Sequence, residues 1–368
     1  MIEKQIFETI TEGFTDILVY RNRETKKGPG TKEGVPFYNP SMEMNRDISI
    51  LVAQWMLNNS KDRLKLLDGL AASGIRGLRF ANELDGDFEV YINDWDLESY
   101  DLIKKNVEKG GFENIKFSNY NLNTLLSENR FHYIDIDPFG SPVYFIDSAI
   151  RSIINDGVLA CTATDTATLC GVYPKVCLRR YGAIPFHSVV MKEVGLRILL
   201  GFICRGANKY DKGIEPLISY TTDHYFRVYV RIKNGVSRAN DSLDHLSVIK
   251  SGEYIGFEKT DKDIGPLWLG RLQSKNMIGD LRSILFEKQL RTKNDLWKLL
   301  DLLEEESYSP EFFYTTDSIA SYLKTSAPKM ESIFENLSIM GYEISKTHFS
   351  NTGFKTNATF DVIEKVFK

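Results

Sequence analysis

Residues 64–77 read LKLLDGLAASGIRG. An apolar run from Leu64 to Leu67 ends at Asp68, and small residues then turn the chain into a helix. Small residues let a backbone approach a ligand closely, and a helix that opens there presents free N–H groups. Alanines and Ser73 stand where a dinucleotide fingerprint would show glycines, so the turn is not built to cradle a pyrophosphate. It suits a nucleoside. Taken alone, it is also what any doubly wound sheet would show.

Outward from this turn, strand patterns alternate with helical ones. The strands are FEVYIND (88–94), IKFSN (115–119), FHYIDID (131–137) and GVLACTAT (157–164). The spacing predicts helices over 42–58, from 74 onward, over 97–109 and over 141–154. Such alternation implies an α/β fold with a parallel sheet covered on both faces. A helix over 192–209 and the strand DHYFRVYVRI (223–232) continue it. The polar, turn-rich stretch KNGVSRANDSLDH (233–245) reads as a boundary, dividing the chain into residues 1–240 and 241–368. Beyond it GPLWLG (265–270) reads as loop or strand, and helices are predicted over 275–286, 292–306 and 329–340. A short hairpin near the end makes this a smaller α+β or winged-helix-like unit. At the front, QIFETITEG and FTDILVY alternate like strands, and RNRETKKGPGTKEG (21–34) reads as an exposed basic loop.

Composition sets limits. Of 368 residues, 42% are hydrophobic and 26% charged, as in globular enzymes, and the formal net charge is −4. Binding to a polyanion therefore needs a local basic patch. Residues 170–232 supply a candidate, with ten Lys/Arg against Glu193, Asp211, Glu215 and Asp223, interleaved with aromatics such as Tyr173 and Tyr181. The alternative there is a solvated face. The cysteines (Cys161, Cys170, Cys177 and Cys204) lack zinc-ligand spacing, so buried thiols and no metal are expected. The apolar run Val194–Cys204 is broken by Arg197 and too short to span a bilayer. The N-terminal residues lack a signal-peptide core, and a cytoplasmic protein is expected.

Three strand ends carry the candidate chemistry. Asp68 closes the first strand. Asn93-Asp94 closes the second, and an acid there accepts hydrogen bonds from ribose hydroxyls, which suits adenosylmethionine and NAD alike. Asp137-Pro138-Phe139-Gly140 closes the fourth, and an acid–proline–aromatic sequence there resembles that of amino-group methyltransferases. The lone pair of a base amine is delocalised into its ring, so the amine is a poor nucleophile. A carboxylate and a fixed carbonyl that accept its N–H bonds favour the pyramidal geometry and disperse the developing positive charge. Phe139 is placed to stack on the base. The competing reading of Asp137 is a helix cap, and Asp135 reads as structural. Arg46, early in the helix after FYNPSMEMNRD (37–47), reads from the residues alone as a surface ion pair.

Together these strings resemble the tRNA N2,N2-dimethylguanosine methyltransferases, which modify guanine 26 of tRNA. The resemblance runs through FYNPSMEMNRD, LDGLAASGIRGLR, IDIDPFGSP, LACTATDTATLCG, PKVCLRRYGA, DHYFRVYVR, GPLWLG and GYEISKTHFSNTGFKT. It implies a Rossmann-like doubly wound class I methyltransferase domain and a C-terminal tRNA-recognition domain. It implies S-adenosyl-L-methionine as cofactor, with Arg46, Arg76 and Asp94 contacting it and Asn121 and Leu122 closing on its adenine. Asp137 becomes the catalytic acid–base residue, and Phe139 holds guanine extruded from the tRNA. No protein partner or membrane is implied. This chain has Asn121-Leu122-Asn123 where the family often has Asp-Ala-Asn, and it lacks the cysteines many relatives carry before GPLW, so zinc is not expected. An NAD-dependent oxidoreductase and a non-catalytic tRNA-binding protein are the competing classes. The missing glycine fingerprint disfavours the first, and the intact Asp94 and Asp137 disfavour the second.

Overall fold

Phe7–Glu12 (β1) and Thr15–Tyr20 (β2) form an antiparallel hairpin. It leans on the helices that follow, with Leu18 N–H donating to Asn106 Oδ1 at 2.7 Å. The computed structural model describes residues 7–20, 38–222 and 224–368, so the basic loop at 21–34 lies outside the described residues. Helix α1 (Glu43–Asn58) is buried almost all round, because it is wedged between the central sheet and a later helix.

The sheet alternates with helices in the order β3 (Leu64–Asp68), α2 (Ile75–Glu83), β4 (Phe88–Asn93), α3 (Leu97–Gly110), β5 (Ile115–Ser118) and α4 (Leu122–Glu128). It continues with β6 (Phe131–Ile136), α5 (Val143–Ser152), β7 (Ile153–Ala163), α6 (Thr166–Leu169), α7 (Pro174–Tyr181) and α8 (Met191–Asn208). An antiparallel pair, β8 (Lys212–Thr221) and β9 (Phe226–Asn234), completes it. Among the described residues this sheet has seven strands, ordered β5-β4-β3-β6-β7-β9-β8, with β9 alone running against the others. Strand order reverses between β3 and β6, so a crevice opens at their carboxyl ends, where open α/β sheets bind ligands. Asp68 and Asp135 are register partners there.

Two glycines set the turn after β3. Gly74 has φ +79 at the N-cap of α2, a conformation that disfavours side chains. At Gly77 an added Cβ would meet Ile92 Cγ1 at 2.5 Å, so α2 lies directly on β4.

Sequence patterning passed over β8 because Pro216 interrupts it. The proline is tolerated because β8 is the sheet's edge and its register shifts between Pro216 and Ile218. The polar stretch 233–245 contains a helix, α9 (Val236–Leu243), with Ala239 and Ser242 buried.

Next come β10 (Leu246–Ile249), the small ribbon β11 (Tyr254–Ile255) and β12 (Glu258–Lys259), and β13 (Ile264–Trp268), so GPLWLG begins in a strand. Helices α10 (Lys275–Glu287) and α11 (Lys293–Glu305) bury Met277, Ile278, Leu281 and Leu300 in one apolar cluster with Ile48 and Leu51 of α1. The chain ends as β14 (Tyr314–Thr315), α12 (Thr316–Leu323), α13 (Met330–Ile339), β15 (Ile344–Lys346), β16 (Gly353–Thr356) and α14 (Phe360–Phe367). A helix pair followed by a hairpin, with strands ordered β14-β16-β15, is a winged-helix-like arrangement. Ile319, Ile333, Leu337, Phe354 and Ile363 give it a small core of its own. Lys355 Nζ anchors it to Glu193 of α8 at 2.8 Å.

Candidate active site

Arg76, in the first turn of α2, lies under the crevice and is only 4% exposed. Its Nη1 donates to Asn45 Oδ1 at 2.9 Å and to Ser49 Oγ at 2.6 Å, both on α1. Its Nη2 donates to Asp137 Oδ2 at 2.5 Å. Asp137, just beyond β6, keeps its side chain 20% exposed, so it joins the buried cluster to the surface. Phe139, two residues on, is 50% exposed. The turn that carries it is pinned to the end of β7, with Gly140 N–H donating to Thr164 Oγ1 at 2.6 Å.

Asp135 is wholly internal. Arg227 of β9 grips it with Nη1 at 3.0 Å and Nη2 at 2.6 Å, and the Tyr133 hydroxyl donates to it at 2.7 Å. Burial alone would raise its carboxyl, but Arg227 and Arg76 outweigh burial and hold it below the usual range. Asp68 behaves oppositely. Burial, with Asp135 and Asp137 nearby, lifts it to about 7 even though Arg76 and the Gly77 N–H favour its ionised form.

Asp94 builds the turn between β3 and α2. Its Oδ2 accepts from the N–H of Ala72 at 2.7 Å, and its Oδ1 accepts from that of Asp96 at 3.0 Å. Ala72 has φ +47, so the carboxylate holds the β3–α2 turn in a left-handed conformation. Burial raises the Asp94 carboxyl. Two amides clip the neighbouring loops together. Asn93 Nδ2 donates to the carbonyls of Gly69 and Tyr120, and Asn119 Nδ2 donates to those of Asp94 and Trp95. Asn121 caps α4, its Oδ1 accepting from Asn123 N–H at 3.0 Å, while Leu122 is buried beside Gly69.

Arg46 is not the surface ion pair its residue context suggested. It is 5% exposed, and its Nε and Nη2 are both held by Glu12 of β1, at 2.6 and 2.5 Å. The hairpin covers α1, which removes the pair from solvent.

The strand ends thus bring Arg76, Asp94, Asn121, Leu122, Asp137 and Phe139 to one edge of the sheet, with Arg46 behind them on α1. Sequence reasoning missed Asn45 and Ser49, and it counted Arg227 as part of a basic surface. Arg227 is fully buried, as Arg197 nearly is beside Glu193. The sequence carried no signal for this, because Phe226, Val228, Val230 and Ile232 alternate with Arg227, Tyr229, Arg231 and Lys233 as on a half-solvated strand. Only α1 lying over that face, with Ser49 and Asn45 bonded to Arg227 and Tyr229, buries the charge. Among the described residues no group of three or more His, Cys, Asp or Glu could hold a metal ion, and no helix is long and apolar enough to cross a membrane.

A family model described as N2,N2-dimethylguanosine tRNA methyltransferase matches residues 22–368. The chain is 39% identical over 390 residues to the tRNA (guanine(26)-N(2))-dimethyltransferase of Pyrococcus furiosus, covering 99% of both chains. It is 38% identical over 355 residues to the protein of the same name from Methanocaldococcus jannaschii, covering 92% of this chain and 94% of that one. Among solved structures, Trm1 from Pyrococcus horikoshii in complex with S-adenosyl-L-methionine superposes with a TM-score of 0.87 at 36% identity, covering 98% of this chain and 100% of that one.

Proposed function

The chain belongs to the N2,N2-dimethylguanosine tRNA methyltransferase family, and from that membership we propose that it methylates the exocyclic N2 of guanine 26 in tRNA, twice, with S-adenosyl-L-methionine as donor. The observation that carries the chemistry is the Arg76–Asp137 pair at the sheet's carboxyl edge, 2.5 Å apart and open to solvent on the Asp137 side.

The cofactor's chemistry is a methyl group made electrophilic by its sulfonium, and the residues fit such a molecule. The left-handed turn at Ala72 and Gly74 brings backbone close to the crevice, and the Asp94 carboxylate at its rim suits ribose hydroxyls. Asn45 Nδ2 is buried with no hydrogen-bond partner among the described residues, beside the guanidinium of Arg76. An unpartnered buried donor next to a buried cation favours a carboxylate ligand. Arg76 and Asn45 hold that end, Asn121 and Leu122 line the adenine side, and Arg46, closed on Glu12, supports α1 from behind.

Asp137 acts on the substrate. Its carboxylate accepts an N–H of the guanine amine, turns the nitrogen lone pair toward the methyl group, and takes the proton that N2 loses after gaining it. Arg76 fixes the carboxylate through Oδ2. Asp135, clamped by Arg227, supplies the negative charge that lets Arg76 stay buried. Phe139 stacks on the extruded base. Residues 241–368 form the tRNA-recognition region, which reads the shape of the tRNA body, and the enzyme works in the cytoplasm.

The test is direct. A guanine-26 tRNA transcript is incubated with the enzyme and S-adenosyl-L-methionine, digested to nucleosides and examined by mass spectrometry. N2,N2-dimethylguanosine is expected, and unmodified guanosine alone would overturn the reading.

A further inference from the structure

Several of the cations between residues 170 and 232 are turned inward or engaged by carbonyls. Arg197 and Arg227 are buried in ion pairs, Arg205 donates to the Tyr181 carbonyl, and Lys212 donates to the carbonyls of Ile150 and Ile153. Helix α7 differs. Its sequence, PKVCLRRY, has three cations and no acid. Cys177 and Tyr181, one turn apart, bury into the core, and this turns Lys175, Leu178 and Arg179 outward on the opposite face. Leu178 is 50% exposed, and the residues leading into the helix, Val172 and Tyr173, are 51% and 56% exposed. Lys175 and Arg179 are exposed too and make no ion pair among the described residues. An apolar strip flanked by unpaired cations suits nucleobases with their phosphates better than it suits water.

The helix is also braced against the catalytic turn. Ser141, the residue after Asp137-Pro138-Phe139-Gly140, donates to the Tyr181 hydroxyl at 2.9 Å, and that hydroxyl donates to Asp165 Oδ1 at 2.7 Å. Arg180 completes the brace on Asp165 Oδ2 at 3.1 Å. Whatever docks on α7 is therefore held in a fixed register to Asp137 and Phe139. By contrast α13, in the winged-helix-like unit, carries Glu331 and Glu335 and no basic residue, so it repels phosphate.

We infer that the outer face of α7, with Tyr173 and Leu178 between Lys175 and Arg179, is the surface that grips the tRNA beside the extruded guanine. Tyr173 and Leu178 pack on bases left unstacked by the extrusion, and the two cations neutralise flanking phosphates. The inference rests on the proposed tRNA methylation and adds a docking surface to it.

Filter binding of a guanine-26 tRNA transcript at several salt concentrations tests it, with S-adenosyl-L-methionine affinity measured in parallel. Tyr173→Ala with Leu178→Ala is expected to weaken tRNA binding by about tenfold or more. Lys175→Glu with Arg179→Glu is expected to weaken it as well and to reduce the log–log salt slope by about 1.4 to 1.8 for two lost contacts. Cofactor affinity should stay unchanged in both. If the wild type binds and methylates this tRNA while both variants bind it equally well, the α7 surface is overturned and the methylation reading stands. If the wild type neither binds nor methylates it, both fall.

Discussion

Two buried arginine clusters share the helices α1 and α2, and they end differently. In the first, Glu12 of β1 accepts from Arg46 and from Arg79 of α2, while Arg79 also pairs with Asp47 at 2.7 Å and Glu83 at 2.9 Å. All of these side chains are almost completely enclosed, and the cluster ties the hairpin, α1 and α2 together. In the second, Arg227, Asp135 and Arg76 are just as buried, but the chain of contacts runs out to Asp137 and leaves Asn45 Nδ2 unpartnered among the described residues. A closed network of buried charges contributes little net stability, because desolvation offsets the attraction, yet it fixes which elements meet. An open one keeps bonding capacity for a ligand. The distinction between fixing the fold and doing chemistry lies in whether the last group has a partner.

The largest expected effect tests the open end. Asp137→Ala should lower methyl transfer by roughly 10²–10⁴-fold, the usual contribution of a positioned acid–base group. Arg76→Lys should do less, about 10- to 100-fold, because an ammonium cannot hold Asn45, Ser49 and Asp137 at once. The loss should appear in both kcat and the cofactor's KM, since Arg76 serves both. Single-turnover assays at saturating tRNA separate the two, and near-wild-type turnover by Asp137→Ala would remove it from the chemistry.

The closed cluster should respond in stability. Burial pushes the Glu12 carboxyl up, but Arg46 and Arg79 overcome this and hold it at about 2. Glu12→Gln leaves two buried guanidiniums short of a charge, and breaking such a pair from one side costs about 3–5 kcal/mol. Urea unfolding should show that loss, while kcat of the remaining folded protein stays within a few-fold of wild type. A variant of full stability and no activity would reverse the assignment of the two clusters.

Much of this was legible in the chain. The strand-end acids Asp68, Asp94 and Asp137 stood out because apolar runs stop at them, and α/β order followed from those runs. The partners of the acids did not stand out. Asn45 and Ser49 sit on a helix whose periodicity places them among apolar neighbours, and their meaning depends on α1 lying across the sheet. Arg227 looked like one more cation among ten. Local counting treats every Lys or Arg as solvated, whereas a strand covered on both faces leaves no solvent to reach. Edge strand β8 was hidden by Pro216, and α9 by its polar composition.

The smallest effect separates the clusters by the sign of their pH dependence. Glu12 is depressed, so its contribution is complete above its unfolded value of 4.5 and is lost only as pH falls toward about 2. Asp68 is raised from 3.8 to about 7, chiefly by burial. The folded state therefore binds more protons than the unfolded state between those values, and stability falls as pH rises through that window. Below 3.8 the contribution is fully present, and above about 7 it is gone. One proton of difference sets a slope of at most about 1.4 kcal/mol per pH unit. Asp68→Asn keeps an oxygen for the Gly77 N–H, which donates to Asp68 at 3.0 Å, and removes the titration. Between pH 5 and 7 Glu12 is present in both proteins and its small residual slope cancels, so the difference between wild type and Asp68→Asn isolates the open cluster. Unfolding free energies measured across that range should decline for the wild type and stay flatter for the variant. Parallel curves would mean that Asp68 is ionised throughout and that Arg76 dominates its environment.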